Sequence, residues 1–176
     1  MGAATNTIGL QIFNWLKTKF QTGDGCWTSN ARSRAGLSSF EEFEGDYADF
    51  TIVDAEVRQR ITSWLVDCGH IQHDLADTVT YHLEVKTTVG RRGEPFEMSN
   101  RQVAMVSTWT SMASGQELIR IQAEMWHQSD ADIYIILRVY DFNSSPKVYA
   151  YFDPHGLRLN GKLSFTAQGG YYVRPA

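Results

Sequence analysis

The chain is poor in cysteine and has no long apolar run. Its 176 residues include two cysteines, Cys26 and Cys68, too few for a disulfide framework and without the clustering of a zinc site. The longest apolar run, residues 133–137, is far shorter than the ~20 residues that cross a bilayer. The N-terminus lacks the charged-then-apolar pattern of a signal peptide. We therefore expect an intracellular protein, outside the membrane, with unpaired thiols.

Basic residues are also scarce, with sixteen Lys and Arg against twenty Asp and Glu and a net charge of −4. Proteins that coat nucleic acid without specificity carry a basic excess, so this balance argues against such a role. It is compatible with an enzyme whose metal ion supplies positive charge. A hydrophobic content of 43% and the absence of repeats or linkers predict a single folded domain over residues 1–176.

Periodic patterns along the chain predict an order of helices and strands. Helical spacing of apolar residues predicts four helices, over residues 7–20, 55–68, 99–109 and 117–127. Alternating or continuous apolar runs predict strands over residues 26–34, 48–54, 80–90 and 133–140, then a β-rich tail over residues 146–176 with a hairpin turn at Asn160-Gly161. The strand at 133–140 is apolar on both faces and should be central. This order predicts an α/β (α+β) fold, a mixed central sheet flanked by helices, with residues 55–78 inserted between two strands.

The stretch T-Y-H-L-E-V-K-T-T-V-G, residues 80–90, places a Glu and a Lys on one face of a strand. Side chains alternate along a strand, so Glu84 and Lys86 are about 7 Å apart on the same side. The simplest interpretation is the solvated face of a half-buried strand. The alternative is that both side chains reach the same small ligand.

Other clusters of polar residues favour structural roles. The loop with His70, His73, Asp74 and Asp77 fits no standard set of transition-metal ligands. The sequence Asp153-Pro154-His155-Gly156 is more typical of a turn than of a catalytic dyad. No nucleophile elbow, P-loop or dinucleotide fingerprint is found.

Three segments together suggest a family. They are Y-H-L-E-V-K-T-T, P-F-E-M-S-N-R-Q-V-A-M and I-Y-I-I-L-R-V-Y-D-F. These segments resemble the domain at the C-terminus of NO VEIN-type proteins. Those domains resemble Mrr-like restriction endonucleases of the PD-(D/E)xK superfamily. Some versions of this domain have an insertion before the E-V-K strand. Two upstream segments resemble those versions, W-T-S-N-A-R-S-R-A-G and Y-A-D-F-T-I-V-D. The resemblance covers about residues 8–152 and implies a restriction-endonuclease-like fold, here with a small C-terminal β extension.

The resemblance also implies a divalent metal site for Mg²⁺ or Mn²⁺. In the superfamily, an Asp on one strand and the Glu of E-x-K on the next bind the metal, and the Lys lies beside the attacking water. Matching A-D-F-T to the acidic strand makes Asp49 the aspartate, with Glu84 and Lys86 completing the motif. The backbone carbonyl of Val85 is a further implied ligand, and Gln102 matches a polar position that touches the site. These roles agree with the preference of Mg²⁺ for oxygen ligands and with the use of Lys to offset transition-state charge.

The identity of the second carboxylate stays open. Asp49 lies far upstream of Glu84, and Asp77 or Asp74, shortly before the strand, are the alternatives. Family members often have an acidic residue in the first helix where this chain has Gln11, and a neutral amide binds a metal more weakly.

Two functions are therefore compatible with the sequence. One is a metal-dependent nuclease that hydrolyses phosphodiester bonds, favoured by the Asp49, Glu84 and Lys86 set. The other is a catalytically inactive module of the same fold that binds a protein partner or nucleic acid, favoured by Gln11 and the acidic charge.

Overall fold

The helices and strands group into two units. The computed structural model describes residues 2–44, 47–71, 79–108, 132–142, 145–167 and 169–176. Unit 1 comprises Met1–Leu83 and unit 2 comprises Glu84–Ala176. The chain is an α+β protein with a mixed sheet flanked by helices. The more specific restriction-endonuclease-like arrangement stays a prediction.

Unit 1 is built on two longer helices and an aromatic core. Its elements are α1 (Gly2–Phe20), a 3₁₀ turn (Asp24–Cys26), α2 (Ala31–Arg34), β1 (Phe50–Ile52), α3 (Ala55–Asp67) and the first half of β2 (Thr80–Thr87). The Trp27 ring lies 5.2 Å from Phe13 of α1 and 5.5 Å from Phe50 of β1. A Cβ at Gly9 would come within 2.9 Å of the Trp27 ring, so glycine there allows α1 to approach Trp27.

The predicted helix at 55–68 is confirmed as α3. The Asp54 side chain accepts a hydrogen bond from the Val57 amide at 3.0 Å and caps the start of α3. Cys68 is the C-cap, and Gly69 follows with a φ of +72°, a left-handed conformation that glycine adopts without strain.

Unit 2 begins within β2. Its other elements are β3 (Phe96–Met98), α4 (Asn100–Thr108), β4 (Asp132–Tyr140), β5 (Lys147–Phe152), α5 (Pro154–Leu159), β6 (Leu163–Ala167) and β7 (Tyr171–Pro175). Residues 133–139 of β4 are all buried, which confirms the prediction of a strand covered on both faces. The predicted helix at 117–127 lies outside the described residues.

The described strands form two sheets. One has the strand order β1-β2-β4-β5 and the other β3-β7-β6. β1 pairs with β2 in antiparallel register, with Phe50 opposite Leu83, so the two strands predicted to be neighbours are neighbours. β4 and β5 are also antiparallel, with Arg138 opposite Tyr149. The β-rich tail is confirmed in part, as β5 and the β6–β7 hairpin.

The predicted edge strand at 26–34 is wrong. Only Trp27 forms a strand-like bridge, to Phe50, and the following residues form local hydrogen bonds such as Arg32 N to Ser29 O at 3.2 Å. These bonds close the short helix α2. Arg32 within it is buried.

The predicted hairpin at Asn160-Gly161 is also wrong. The Asp153 side chain accepts a hydrogen bond from the Gly156 amide at 2.9 Å, and Pro154 occupies the first turn. A side-chain cap followed by proline starts a helix. The segment is therefore helical although its leucines alternate as in a strand. Asn160-Gly161 ends α5, with Gly161 at a φ of +69°. Asp153-Pro154-His155-Gly156, predicted to be a turn, is the capped start of this helix.

None of the described helices is both long and apolar enough to cross a membrane. Cys26 is half-buried, Cys68 is exposed, and both thiols are free.

Candidate functional site

Glu84, the first residue of unit 2, lies in the interior rather than on a solvated face. It is 4% exposed, and the strand is buried on both sides from Tyr81 to Glu84. Burial of an ionised carboxylate is unfavourable unless other groups satisfy its charge and acceptors. The simple interpretation of a solvated Glu-x-Lys strand face is therefore wrong for Glu84.

Three side chains of unit 2 satisfy the carboxylate. Lys86 Nζ lies 2.9 Å from Glu84 Oε1, and both side chains are largely buried. Gln102 Nε2 donates to the same oxygen at 2.5 Å. The Tyr134 hydroxyl donates to Glu84 Oε2 at 3.2 Å. We call Glu84, Lys86, Gln102 and Tyr134 the Glu84 cluster.

Gln102 connects both charged members of the cluster. Its Oε1 accepts from Lys86 Nζ at 3.0 Å while its Nε2 donates to Glu84. One amide therefore contacts the ammonium and the carboxylate together. It also fixes their relative position.

The start of α4 holds Gln102 in place. The Gln102 amide donates to Ser99 Oγ at 3.2 Å, and Gln102 Oε1 accepts from the Ser99 amide at 3.0 Å. This reciprocal pair is a capping box. The sequence S-N-R-Q thus starts the helix and orients the side chain that bridges Glu84 and Lys86.

The sequence interpretation missed Tyr134. Its side chain is fully buried in β4, in a run otherwise made mostly of aliphatic residues. A buried tyrosine hydroxyl usually has a hydrogen-bond partner. The signal was therefore a polar-tipped residue in a strand predicted to be buried on both faces.

Of the other residues predicted for the site, Asp49 and Gln11 belong to unit 1 and Val85 belongs to unit 2. Asp49 belongs to unit 1, immediately before β1, and its carbonyl accepts from the Thr28 amide at 3.0 Å. Gln11 is an exposed residue of α1. Val85 lies on β2 between Glu84 and Lys86. Asp74 and Asp77 lie outside the described residues.

Within the part of the chain that the structure describes, no group of three or more His, Cys, Asp or Glu side chains could hold a metal ion. In unit 2, the Glu84 cluster contains one carboxylate. Any metal bound there would take most of its ligands from water or substrate, as Mg²⁺ commonly does.

The donors and acceptors of the cluster leave two positions for a ligand. A carboxylate offers about four acceptor sites and an ammonium three donors. Described residues occupy three acceptor sites of the Glu84 carboxylate, two on Oε1 and one on Oε2. They also occupy two N–H donors of the Lys86 ammonium. Within the described residues, one lone pair of Glu84 Oε2 and one N–H of Lys86 therefore remain unused. The cluster can thus offer an anionic oxygen and a cationic donor to the same ligand.

No protein-family model, curated protein or solved structure matches the chain.

Proposed function

We propose that the chain is a divalent-metal-dependent nuclease that hydrolyses phosphodiester bonds of nucleic acid. The observation that carries the proposal is the buried Glu84 carboxylate, with Lys86 at 2.9 Å and the Gln102 amide on both. A Glu and a Lys on one strand face are ordinary when solvated. Their burial together, with acceptor and donor positions left over, is typical of a site rather than of a surface.

Glu84 fits the role of one ligand of Mg²⁺ or Mn²⁺. Its oxygens are of the hard type that these ions bind, and one acceptor site on Oε2 is not used by the described residues. The Val85 carbonyl is a second candidate ligand from the sequence. The resemblance adds Asp49, with Asp77 and Asp74 as alternatives, for the second carboxylate. A bound metal would polarise the phosphoryl oxygens and lower the pKa of a bound water.

The side chains of the cluster have separate tasks in this proposal. Lys86 directs its remaining N–H toward the attacking water or a phosphoryl oxygen and offsets negative charge in the transition state. Gln102 holds the ammonium at a fixed position, because both ends of its amide are engaged. Tyr134 orients the carboxylate through Oε2.

Cleavage assays with matched variants test this function. Purified protein is incubated with single- and double-stranded DNA and RNA in Mg²⁺, in Mn²⁺ and in excess chelator. We expect cleavage with either metal and none with chelator. Glu84→Gln should reduce cleavage severely because it removes a negative ligand while keeping the shape. Lys86→Ala should abolish turnover but preserve metal binding by calorimetry, since a protonated Lys has no lone pair.

Two exposed residues of unit 2 provide the controls. Glu97→Gln and Lys162→Ala remove the same charges outside the cluster and should leave cleavage unchanged. Asp49→Asn tests the second ligand that the resemblance implies. Residual cleavage shared equally by wild type, Glu84→Gln and Lys86→Ala would indicate a contaminant and refute the site.

The alternative, an inactive module that binds nucleic acid or a protein, is favoured by one observation. The members of the Glu84 cluster already satisfy one another, as in a network that stabilises a core. This function predicts no cleavage with any metal and no calorimetric signal for Mg²⁺.

A further inference from the structure

The face of the β4–β5 pair that carries Tyr134 also carries an unusual set of cations and aromatic rings. Residues 134 and 138 of β4 share a face, and Arg138 lies opposite Tyr149 of β5. Arg138 is therefore about 13 Å along β4 from the Tyr134 end of the Glu84 cluster. This second location is used by none of the groups described above.

Arg138 is a buried cation without an ion-pair partner among the described residues. It is 1% exposed, and its Nε and Nη1 have no hydrogen-bond partner among the described residues. Its Nη2 donates to the backbone carbonyl of Glu94 at 3.1 Å, and its guanidinium lies over the Phe96 ring. Burial lowers the pKa of Arg138, and the charge of Glu94 opposes that shift. Buried charges are normally paired, and here the positive charge is compensated only in part.

Arg92, by contrast, is exposed and held by one contact. Its guanidinium carbon lies 4.3 Å from the centre of the Tyr149 ring. Stacking uses the flat face of the guanidinium and leaves its N–H groups at the edge free to bind a phosphate. No residue of the described chain accepts a hydrogen bond from Arg92. The side chain is thus oriented for a ligand but has none within the described protein.

Tyr151 connects the two cations. Its hydroxyl is buried and has no hydrogen-bond partner within the described part of the chain, and its ring packs edge-on to Tyr149 at 5.0 Å. Burial raises the pKa of Tyr151, and the charges of Arg92 and Arg138 oppose that shift. The Tyr151 hydroxyl therefore experiences both guanidinium charges.

Basic residues outnumber acidic ones in the segments that form this location. These segments carry the cations Arg91, Arg92, Arg138 and Lys147 and the anions Glu94 and Asp141. Lys147 and Asp141 pair with each other at 3.1 Å. The remaining charge is cationic although the whole chain has a net charge of −4.

We propose that Arg92, stacked on Tyr149 above the buried charge of Arg138, is a phosphate-binding subsite for a nucleic-acid strand. The choice of nucleic acid rests on the proposed function. Arg92 would contact a phosphate other than the one that is cleaved at the Glu84 cluster. An aromatic platform beside an arginine is also a common arrangement for binding single strands.

Binding is measured without metal, so that the result does not depend on catalysis. Fluorescence anisotropy of short fluorescein-labelled single-stranded DNA and RNA is recorded in chelator with wild type, Arg92→Gln and Arg91→Gln. Arg91 is the neighbouring exposed arginine, so the two variants have the same net charge. We expect about a tenfold loss of affinity for Arg92→Gln and little change for Arg91→Gln. The slope of log Kd against log salt should fall by about 0.7 for Arg92→Gln only.

The subsite would be overturned if wild type bound no oligonucleotide, or if Arg92→Gln and Arg91→Gln lost equal affinity. Wild-type affinity in Arg92→Lys would also overturn it. So would displacement of the labelled oligonucleotide by polyglutamate or inorganic phosphate as effectively as by unlabelled oligonucleotide. Arg92→Lys keeps the charge and loses the planar stack, so it separates this geometry from charge alone. The two proposals can also fail separately. Oligonucleotide binding through Arg92 without cleavage would leave the subsite and remove the nuclease. Cleavage whose KM is the same in Arg92→Gln would leave the nuclease and remove the subsite.

Discussion

Replacement of Lys86 by methionine should destabilise unit 2 far more than loss of an exposed ion pair. The substitution leaves the Glu84 carboxylate, whose side chain is 5% exposed, without its cation. Removal of one partner of a buried pair costs about 3–5 kcal/mol. Because Gln102 and Tyr134 still donate to Glu84, we expect the lower end, about 3 kcal/mol. With urea m-values of about 1–3 kcal/mol/M, the midpoint should fall by about 1–3 M.

Lys147→Met is the matched control in the same unit. Lys147 Nζ lies 3.1 Å from Asp141 Oδ2, but the two side chains are 57% and 30% exposed. Exposed pairs contribute about 0–1 kcal/mol, so its urea midpoint should change little. The double variant Glu84→Gln/Lys86→Met should recover most of the loss, since no buried charge is left unpaired. Equal midpoint shifts for Lys86→Met and Lys147→Met would refute the argument that Glu84 is held in a buried, charge-compensated site.

Three further predictions concern helix caps and titrating groups. Ser99→Ala removes the Oγ acceptor at the start of α4 and should lower the free energy of unfolding by about 1 kcal/mol in urea titrations; no change would show that the capping box contributes nothing. Burial raises the pKa of Cys26 to about 11, so at pH 8 only about one thiol in a thousand is ionised. Iodoacetamide should therefore label exposed Cys68 first, and equal rates in peptide mass spectrometry would contradict this. Burial raises the pKa of Asp153 above its ordinary value of 3.8, so folding favours the protonated carboxyl. As pH rises above 3.8 toward the higher folded-state pKa, wild type should lose stability relative to Asp153→Asn, which keeps the cap without the charge; parallel pH profiles of urea midpoints would argue against that shift.

Several features of the fold followed from local sequence. The course of α3 was readable from the helical spacing of its apolar residues, and its end from Gly69, because capping depends on residues within one turn of the helix. The central position of β4 was readable from a run apolar on both faces. The same local reasoning failed at Asn160-Gly161, where a turn dipeptide ended α5 instead of joining two strands. The deciding signal was the cap and proline seven residues earlier.

The candidate site divides in the same way. The sequence by itself determined that Glu84 and Lys86 share a face, because the period of a strand is two residues, and that Ser99 could start a helix with Gln102 in its first turn. Only the tertiary structure decided that Glu84 is buried, that Gln102 bridges it to Lys86, that Tyr134 reaches its second oxygen, and that Arg92 stacks on Tyr149. Burial and contact across elements depend on which surfaces cover one another, and residues far apart in the chain carry no local pattern that specifies this.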